Sequence, residues 1–261
     1  LKARIISALV ALAILVPCLV LWGAEAVEVL VGLILAIGLW EYARMVFPGE
    51  RFAAIPLLVS GLGIYGAVLF CTAAVMHAAA VGGLLLLMVW VLAKNDEVEA
   101  AFARLTKMVF GLAWIVGLGL HIPMLAHVDM RWLVLVLLIV FAGDTGAYFS
   151  GRAFGSRKLA ERVSPKKTWE GVYGGLLAAV LGTLLFAHYE LPDLKAIHCV
   201  AMALLVASAG VTGDLIESLV KRACGVKDSG AIMPGHGGAL DRVDSVLFGA
   251  PVMVLYMNLV L

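Results

Sequence analysis

An all-α, polytopic membrane fold of about nine transmembrane helices, with a polar cavity facing the cytoplasm, is predicted by three features of the sequence. Hydrophobic residues fill 63% of the 261 positions and charged residues only 14%, where a soluble domain carries about a quarter charged. Uninterrupted apolar runs repeatedly reach the ~20 residues needed to cross ~30 Å of hydrocarbon. The basic residues also fall almost entirely on one side once those runs are taken as spans. The ~10-residue alternating segments of a transmembrane β-barrel are absent.

The spans read as roughly 5–22, 26–46, 53–72, 74–93, 108–126, 132–150, 171–188, 196–216 and 243–261. The first opens with Lys2 and Arg4 and ends near Ala24-Glu25-Ala26, which mimics a signal peptide and its cleavage site. It is read as a retained helix, because the second span follows within a few residues and needs a partner. Only Thr72 and its small neighbours divide the third span from the fourth. With this count the N-terminus and the alternate loops share one side. That side collects 17 of the 19 Lys and Arg, leaving Arg131 and Lys195 opposite. The positive-inside rule then puts the N-terminus and the polar loops in the cytoplasm of a multi-pass protein of the inner (plasma) membrane. No linker, repeat or low-complexity tract marks a second domain. Residues 1–261 read as one domain, with N-terminal helices over 1–126 and the chemistry-bearing helices and loops over 132–261.

Taken in order, most polar residues of the first half have structural explanations. Trp40-Glu41-Tyr42-Ala43-Arg44 closes the second span as an interfacial anchor. Gly61-Leu-Gly63-Ile-Tyr-Gly66 spells GxGxxG, but it lies inside a span with no strand before it, so it reads as helix packing through small residues. Residues 94–107 alternate acids and bases as a short surface helix does, with a solvated charged face. Cys18, Cys71, Cys199 and Cys224 form no CxxC pair and mostly sit in apolar spans, so they read as small core hydrophobes. No basic patch interleaved with aromatics stands outside the polar blocks, which argues against a nucleic-acid partner.

The second half carries the chemistry. Asp144 is the chain's one acid deep in an apolar run, Val140 to Tyr148. A carboxylate there costs at least ~2.5 kcal/mol on the insertion scale unless it faces a cavity, a cation or a metal. It is read as lining a cavity, the alternative being a structural pair with an arginine. Arg152 to Lys167 holds six basic residues against Glu161. Within it, Ser164-Pro165-Lys166-Lys167-Thr168 is better ordered than a topogenic signal requires. Ser and Pro fix a turn, Thr168 can cap the next helix, and the paired lysines suit phosphate oxygens. Glu170 falls in that helix's first turn, where the dipole favours an anion. Span eight ends in the small residues Ala209, Gly210 and Gly213 ahead of Asp214, which let a neighbouring helix or a lipid headgroup come close.

The densest polar stretch runs from Asp214 to Asp244, with five Asp/Glu and four Lys/Arg. If Asp214 opens a helical turn, Glu217, Ser218 and Lys221 follow at i+3, i+4 and i+7 on its face. Asp241 and Asp244 repeat the i, i+3 spacing beyond a glycine-rich loop. In Pro234-Gly235-His236-Gly237-Gly238 the missing side chains let backbone N–H groups approach an anion. Carboxylates on two flanking helices, cations beside them and a glycine-rich turn are the parts of a metal-assisted phosphate site.

This stretch resembles the signature of the phosphatidate cytidylyltransferase (CDP-diacylglycerol synthase) family. The likeness rests on Ser218-Leu-Val-Lys221-Arg222, Lys227-Asp228-Ser-Gly230 and Pro234-Gly-His236-Gly237-Gly238-Ala-Leu-Asp241-Arg242-Val-Asp244, at fixed gaps. Ser164 to Gly171 resembles the family's other polar block. Met233 and Ala239 depart from its usual occupants at packing positions only. The resemblance implies transfer of the cytidylyl group of CTP to phosphatidate, giving CDP-diacylglycerol and pyrophosphate. It further implies Mg²⁺, with room for a second cation, on Asp214, Asp241 and Asp244, with Asp144 as outer shell or further ligand. Lys221, Arg222, Lys227 and Arg242 then hold phosphates, aided by Lys166 and Lys167, and His236 donates to one. Ser164, Ser218, Asp228, Gly237 and Gly238 match without an assigned role beyond substrate binding. Partners are CTP, phosphatidate and the bilayer, and small-residue faces are compatible with a homodimer. A CTP-dependent lipid-alcohol kinase of the dolichol type is the nearest alternative. A transporter ranks lower, because no repeated halves with matched broken helices are visible.

Overall fold

The structure, a computed structural model, describes the backbone of residues 2–50, 52–230 and 237–261, and side chains from Trp22 onward within those ranges. It is built almost wholly of helices: α1 Lys2–Val46, α2 Ala54–Phe70, α3 Ala73–Ala93, α4 Val98–Gly111, a π-helical turn Leu112–Gly117, α5 His121–Val128, α6 Met130–Phe154, α7 Trp169–Glu190, α8 Ala196–Ala223 and α9 Leu240–Val260. The chain is thus a polytopic α-helical membrane protein. Among the described residues seven helical segments are long and apolar enough to span a bilayer, and α2 is a shorter apolar helix.

Every apolar run expected from the sequence is helical, but the boundaries differ. The first two runs are helices that meet at a kink at Gly23, between the expected spans, where a φ of 54° and ψ of −127° are open to glycine and strained for other residues. The charged segment 94–107 is no detached surface helix. From Val98 it runs on through the π turn, and Val98–Val128 is apolar enough to count as a single span. Its Arg104 turns inward to Glu50 (2.8 Å) and Asp96 (2.7 Å), so one basic residue of the expected solvated face is largely buried. Polar block two also departs from expectation. Ser164 to Thr168 is not a turn but strand β2, paired antiparallel with β1, Lys158–Ala160. A β-branched cap at Thr168 and a proline at the start of a short edge strand suit this geometry.

The chain divides into two compact units, Leu1–Leu120 with Asp228–Asp241, and His121–Lys227 with Arg242–Leu261. In the first, Leu35, Leu39, Tyr42, Leu57, Leu87, Met108 and Ile115 are fully buried. Tyr42 anchors this core. Its hydroxyl donates to the Lys107 carbonyl at 2.7 Å and its ring meets Trp114 edge-on at 6.1 Å. Of the GxGxxG run only Gly61 packs closely, against Leu39 and Val116, while a Cβ at Gly63 or Gly66 would have nothing within 4 Å.

In the second unit α6 and α7 pack along a seam of small residues. A Cβ at Gly175 would stand 2.7 Å from the Gly143 carbonyl oxygen, so the helices approach closely only because both faces are trimmed. Leu177, Leu181 and Leu185 form an exposed stripe at i, i+4 and i+8 on α7, a face suited to acyl chains. On α8, Gly213 lets α9 in so closely that a Cβ would meet the Asp244 carbonyl oxygen at 2.6 Å. That contact brings the Asp244 turn beside the Asp214 turn.

Candidate functional site

The second unit holds a cavity of about 450 Å³. Its walls are apolar, from Ile139, Val140, Val172, Leu176, Ala207 and Val211, and its charged lining comes from Asp144, Arg152, Lys166, Lys167 and Asp214. The polar elements reach it for local reasons. Thr168 caps α7 by accepting from Gly171 N–H at 3.2 Å, which fixes the step from β2 into the helix. Glu170, one residue into α7, accepts from the Ser156 hydroxyl at 2.8 Å and from the Ser156 and Arg157 backbone N–H groups. The hairpin is thereby tied at both ends. Lys167 then extends from β2 to Asp214 on α8, with Nζ 2.7 Å from Oδ2, and the Ser218 hydroxyl donates to Asp214 Oδ1 at 3.3 Å.

Asp144, Asp214 and Asp244 lie within electrostatic reach of one another, and Lys167 offsets Asp144 as well as Asp214. Three carboxylates with one lysine beside two of them attract further positive charge. Among the described residues no group of three or more His, Cys, Asp or Glu is arranged so that it could hold a metal ion. Mg²⁺ does not need one, since it commonly takes one or two carboxylates and fills its shell with water and substrate phosphate oxygens. One or two of Asp144, Asp214 and Asp244 would supply hard oxygen donors of that kind.

Other expected phosphate contacts lie elsewhere. Lys221 is buried and pairs with Glu217 at 3.2 Å, one turn back on α8, and does not line the cavity. Arg222 is directed at backbone, with Nη1 donating to the Val226 carbonyl at 3.2 Å and Nε near the Val163 carbonyl at 3.5 Å. Ser164 faces its β1 partner Ala160, outside the cavity lining. Lys227, Asp228 and Arg242 are exposed. His236 lies outside the described residues.

The first unit holds the rest of the signature. Asp241, in the first turn of α9, accepts through Oδ2 from Gly238 N–H (2.8 Å), Ser229 N–H (3.0 Å) and the Ser229 hydroxyl (3.0 Å). That oxygen pins its own loop. Glu41, read from the sequence as part of an interfacial anchor, is instead buried at 1% exposure and accepts from Ala239 and Leu240 N–H. Of its neighbours, Arg44 lies 4.9 Å over the Trp40 ring, while Tyr42 is buried in the core. Reading the run as an interfacial anchor left no reason to look for a partner 198 residues away. An acid within the last turn and a half of an apolar span was the available signal.

Fold and site together define a membrane-embedded protein whose charged residues gather at an apolar cleft. The chain belongs to the cytidylyltransferase family, whose profile matches residues 2–260. It is 33% identical to the phosphatidate cytidylyltransferase of Haemophilus influenzae over 294 residues, covering all of both chains. Identity to the phosphatidate cytidylyltransferase of Pseudomonas aeruginosa is 36%, over 97% of this chain and 95% of that one. The Bacillus subtilis phosphatidate cytidylyltransferase is 37% identical over 70% of this chain and 68% of its own.

Proposed function

We propose that this protein transfers the cytidylyl group of CTP to phosphatidate, forming CDP-diacylglycerol and releasing pyrophosphate, at the inner membrane with its N-terminus and polar loops in the cytoplasm. The observation that carries the reading is the cavity of the second unit. Its apolar walls suit acyl chains, and its charged residues, with Lys167 held on Asp214, suit a phosphate headgroup. The orientation rests on the one-sided distribution of Lys and Arg.

In this reaction a phosphatidate oxygen attacks the α-phosphorus of CTP. One P–O bond forms, the bond to the bridging oxygen of the β-phosphate breaks, and pyrophosphate leaves with its electron pair. No protein nucleophile is required, so the chain's work is to neutralise and align two polyanions. Lys166 and Lys167 offset phosphate charge at the cavity. One or two of Asp214, Asp244 and Asp144 would hold Mg²⁺ there, and Asp241, in the first turn of α9, is a separate candidate ligand in the other unit. The bound ion supplies charge neutralisation and Lewis acidity to the phosphates. The small side chains of α6 and α8 leave space beside the carboxylates for a lipid headgroup.

The test uses purified protein in detergent with phosphatidate, Mg²⁺ and CTP labelled separately at the α and γ phosphates. The expected result is α-label in lipid and γ-label in pyrophosphate. Entry of γ-label into an added polyprenol would overturn it in favour of a lipid kinase.

A further inference from the structure

Glu41 is a buried acid that the reaction above leaves without a task. Both of its carboxylate oxygens are used within the first unit. Oε1 accepts from Ala239 N–H at 3.1 Å, and Oε2 accepts from Leu240 N–H at 3.0 Å and lies 3.3 Å from the Ser229 hydroxyl. Helix α9 begins at Leu240, and Ala239 before it has no side-chain acceptor for the unpaired N–H groups of the first turn. Glu41 supplies that acceptor from 198 residues away, where the helix dipole also favours a negative charge. The fit is close. A Cβ at Gly238 would stand 2.5 Å from Oε2, and one at Gly230 would collide with the same carboxylate.

The contacts continue to Asp241. The Ser229 hydroxyl lies between two carboxylate oxygens, Glu41 Oε2 and Asp241 Oδ2, while Ser229 N–H and Gly238 N–H hold Asp241 Oδ2 from the backbone. We infer that Glu41 is a positioning residue, which docks the start of α9 and the Ser229 turn and so sets the orientation in which Asp241 is presented. This rests on the reading that Asp241 serves the CTP and Mg²⁺ side of the reaction. Glu41 itself, 1% exposed and saturated with donors, has no part in touching substrate.

The chemistry of the pocket selects the test. Glu41→Gln keeps the shape but replaces one acceptor oxygen with an NH₂ that faces a backbone N–H. In the full-length protein in detergent, hydrogen exchange of the Ala239 and Leu240 amides should then quicken by about tenfold or more, as expected for losing a charge-assisted bond. The Mg²⁺ concentration for half-maximal cytidylyl transfer should rise about tenfold, the scale at which groups that orient a ligand act, with KM for phosphatidate unchanged. Ser229→Ala, which removes only the bridging hydroxyl, should raise the Mg²⁺ requirement in the same direction without quickening exchange at Ala239 and Leu240, and it decides the matter if Glu41→Gln does not fold. Wild-type exchange in Glu41→Gln would overturn the inference. So would a loss of turnover in both variants with an unchanged Mg²⁺ dependence, the pattern of a merely structural role. An inactive wild-type protein with exchange still governed by Glu41 would instead overturn the functional reading and leave the docking role intact.

Discussion

Lys167 on β2 meets Asp214 on α8 with 2.7 Å between Nζ and Oδ2, joining the two polar blocks at the cavity. Both side chains keep a quarter to a third of their surface accessible, so the pair is positioned to rearrange onto a bound phosphate and not to serve as a buried staple. Lys167→Met should lower kcat for α-label transfer by about 10²-fold, the scale of losing one preorganised electrostatic contact to the transition state. Asp214→Asn should cost at least as much. The double variant should fall well short of the product of the two, because the pair acts as a unit. Steady-state kinetics on protein that elutes as the wild type would check this, and strictly multiplicative losses would refute it.

The α6–α7 seam makes a prediction about stability alone. A methyl group at Gly175 meets the Gly143 carbonyl oxygen at 2.7 Å and the Ala147 side chain at 3.2 Å, and neither neighbour is a flexible side-chain end. Gly175→Ala should therefore lower stability in detergent by about 1–3 kcal/mol, the usual cost of overpacking. Gly182 lies on the same helix with its nearest neighbour at 3.6 Å, so Gly182→Ala should be neutral or stabilise by up to about 1 kcal/mol through helix propensity. Thermal unfolding of the two variants side by side tests the ranking.

Much of this was legible in the sequence, and the rest was hidden for physical reasons. Apolar runs declare helices because a bilayer leaves backbone no other way to satisfy its polar groups. Asp144, Lys166, Lys167 and Asp214 were found because charge in an oily chain is conspicuous, and all four line the cavity. Asp244 was found the same way and lies within electrostatic reach of Asp144 and Asp214. What escaped was partner choice. Lys221 pairs with Glu217 at i−4, a contact the shared face allowed, and Arg222 donates to the Val226 carbonyl. Glu41 sat in a run read as an interfacial anchor, with its partner 198 residues away. Spacing along a helix reveals which residues share a face, but not which neighbouring element that face meets. The β1–β2 hairpin was missed because five residues with two lysines and a proline carry little strand signal.

Asp129, outside the spans, gives a pH-dependent prediction. It caps α6 by accepting from Arg131 N–H at 2.9 Å and pairs with the Arg131 guanidinium at 2.6 Å. The guanidinium hydrogen bond, followed by the backbone one, holds its carboxyl below the ordinary aspartate value. A depressed value means the folded state favours the ionised form. The stabilisation is thus complete above the unfolded-state value and is lost as pH falls through the folded-state value. Asp129→Ala should lower Tm at neutral pH, and the gap to wild type should narrow as the solution is acidified below the aspartate range. A gap that stays constant or widens in acid would sink this account.

The last prediction concerns the clasp on the lysine-bearing hairpin. Glu170 gathers the Ser156 hydroxyl, the Ser156 and Arg157 N–H groups and the Arg157 guanidinium, whose Nε lies 3.3 Å away. These donors precede β1, and Glu170 follows β2, so the carboxylate closes the base of the hairpin from which Lys166 and Lys167 project. The contacts are largely exposed, and removing them should scarcely move Tm. Local order is another matter, because backbone N–H groups left without their acceptor release the loop. Glu170→Ala should speed tryptic cleavage after Arg157 and Lys158 by about tenfold, equivalent to losing one or two net hydrogen bonds. If the hairpin presents its lysines to the nucleotide, KM for CTP should rise in parallel while KM for phosphatidate holds. Faster cleavage with unchanged KM for CTP would separate hairpin order from nucleotide binding and move the lysines' role to the lipid phosphate.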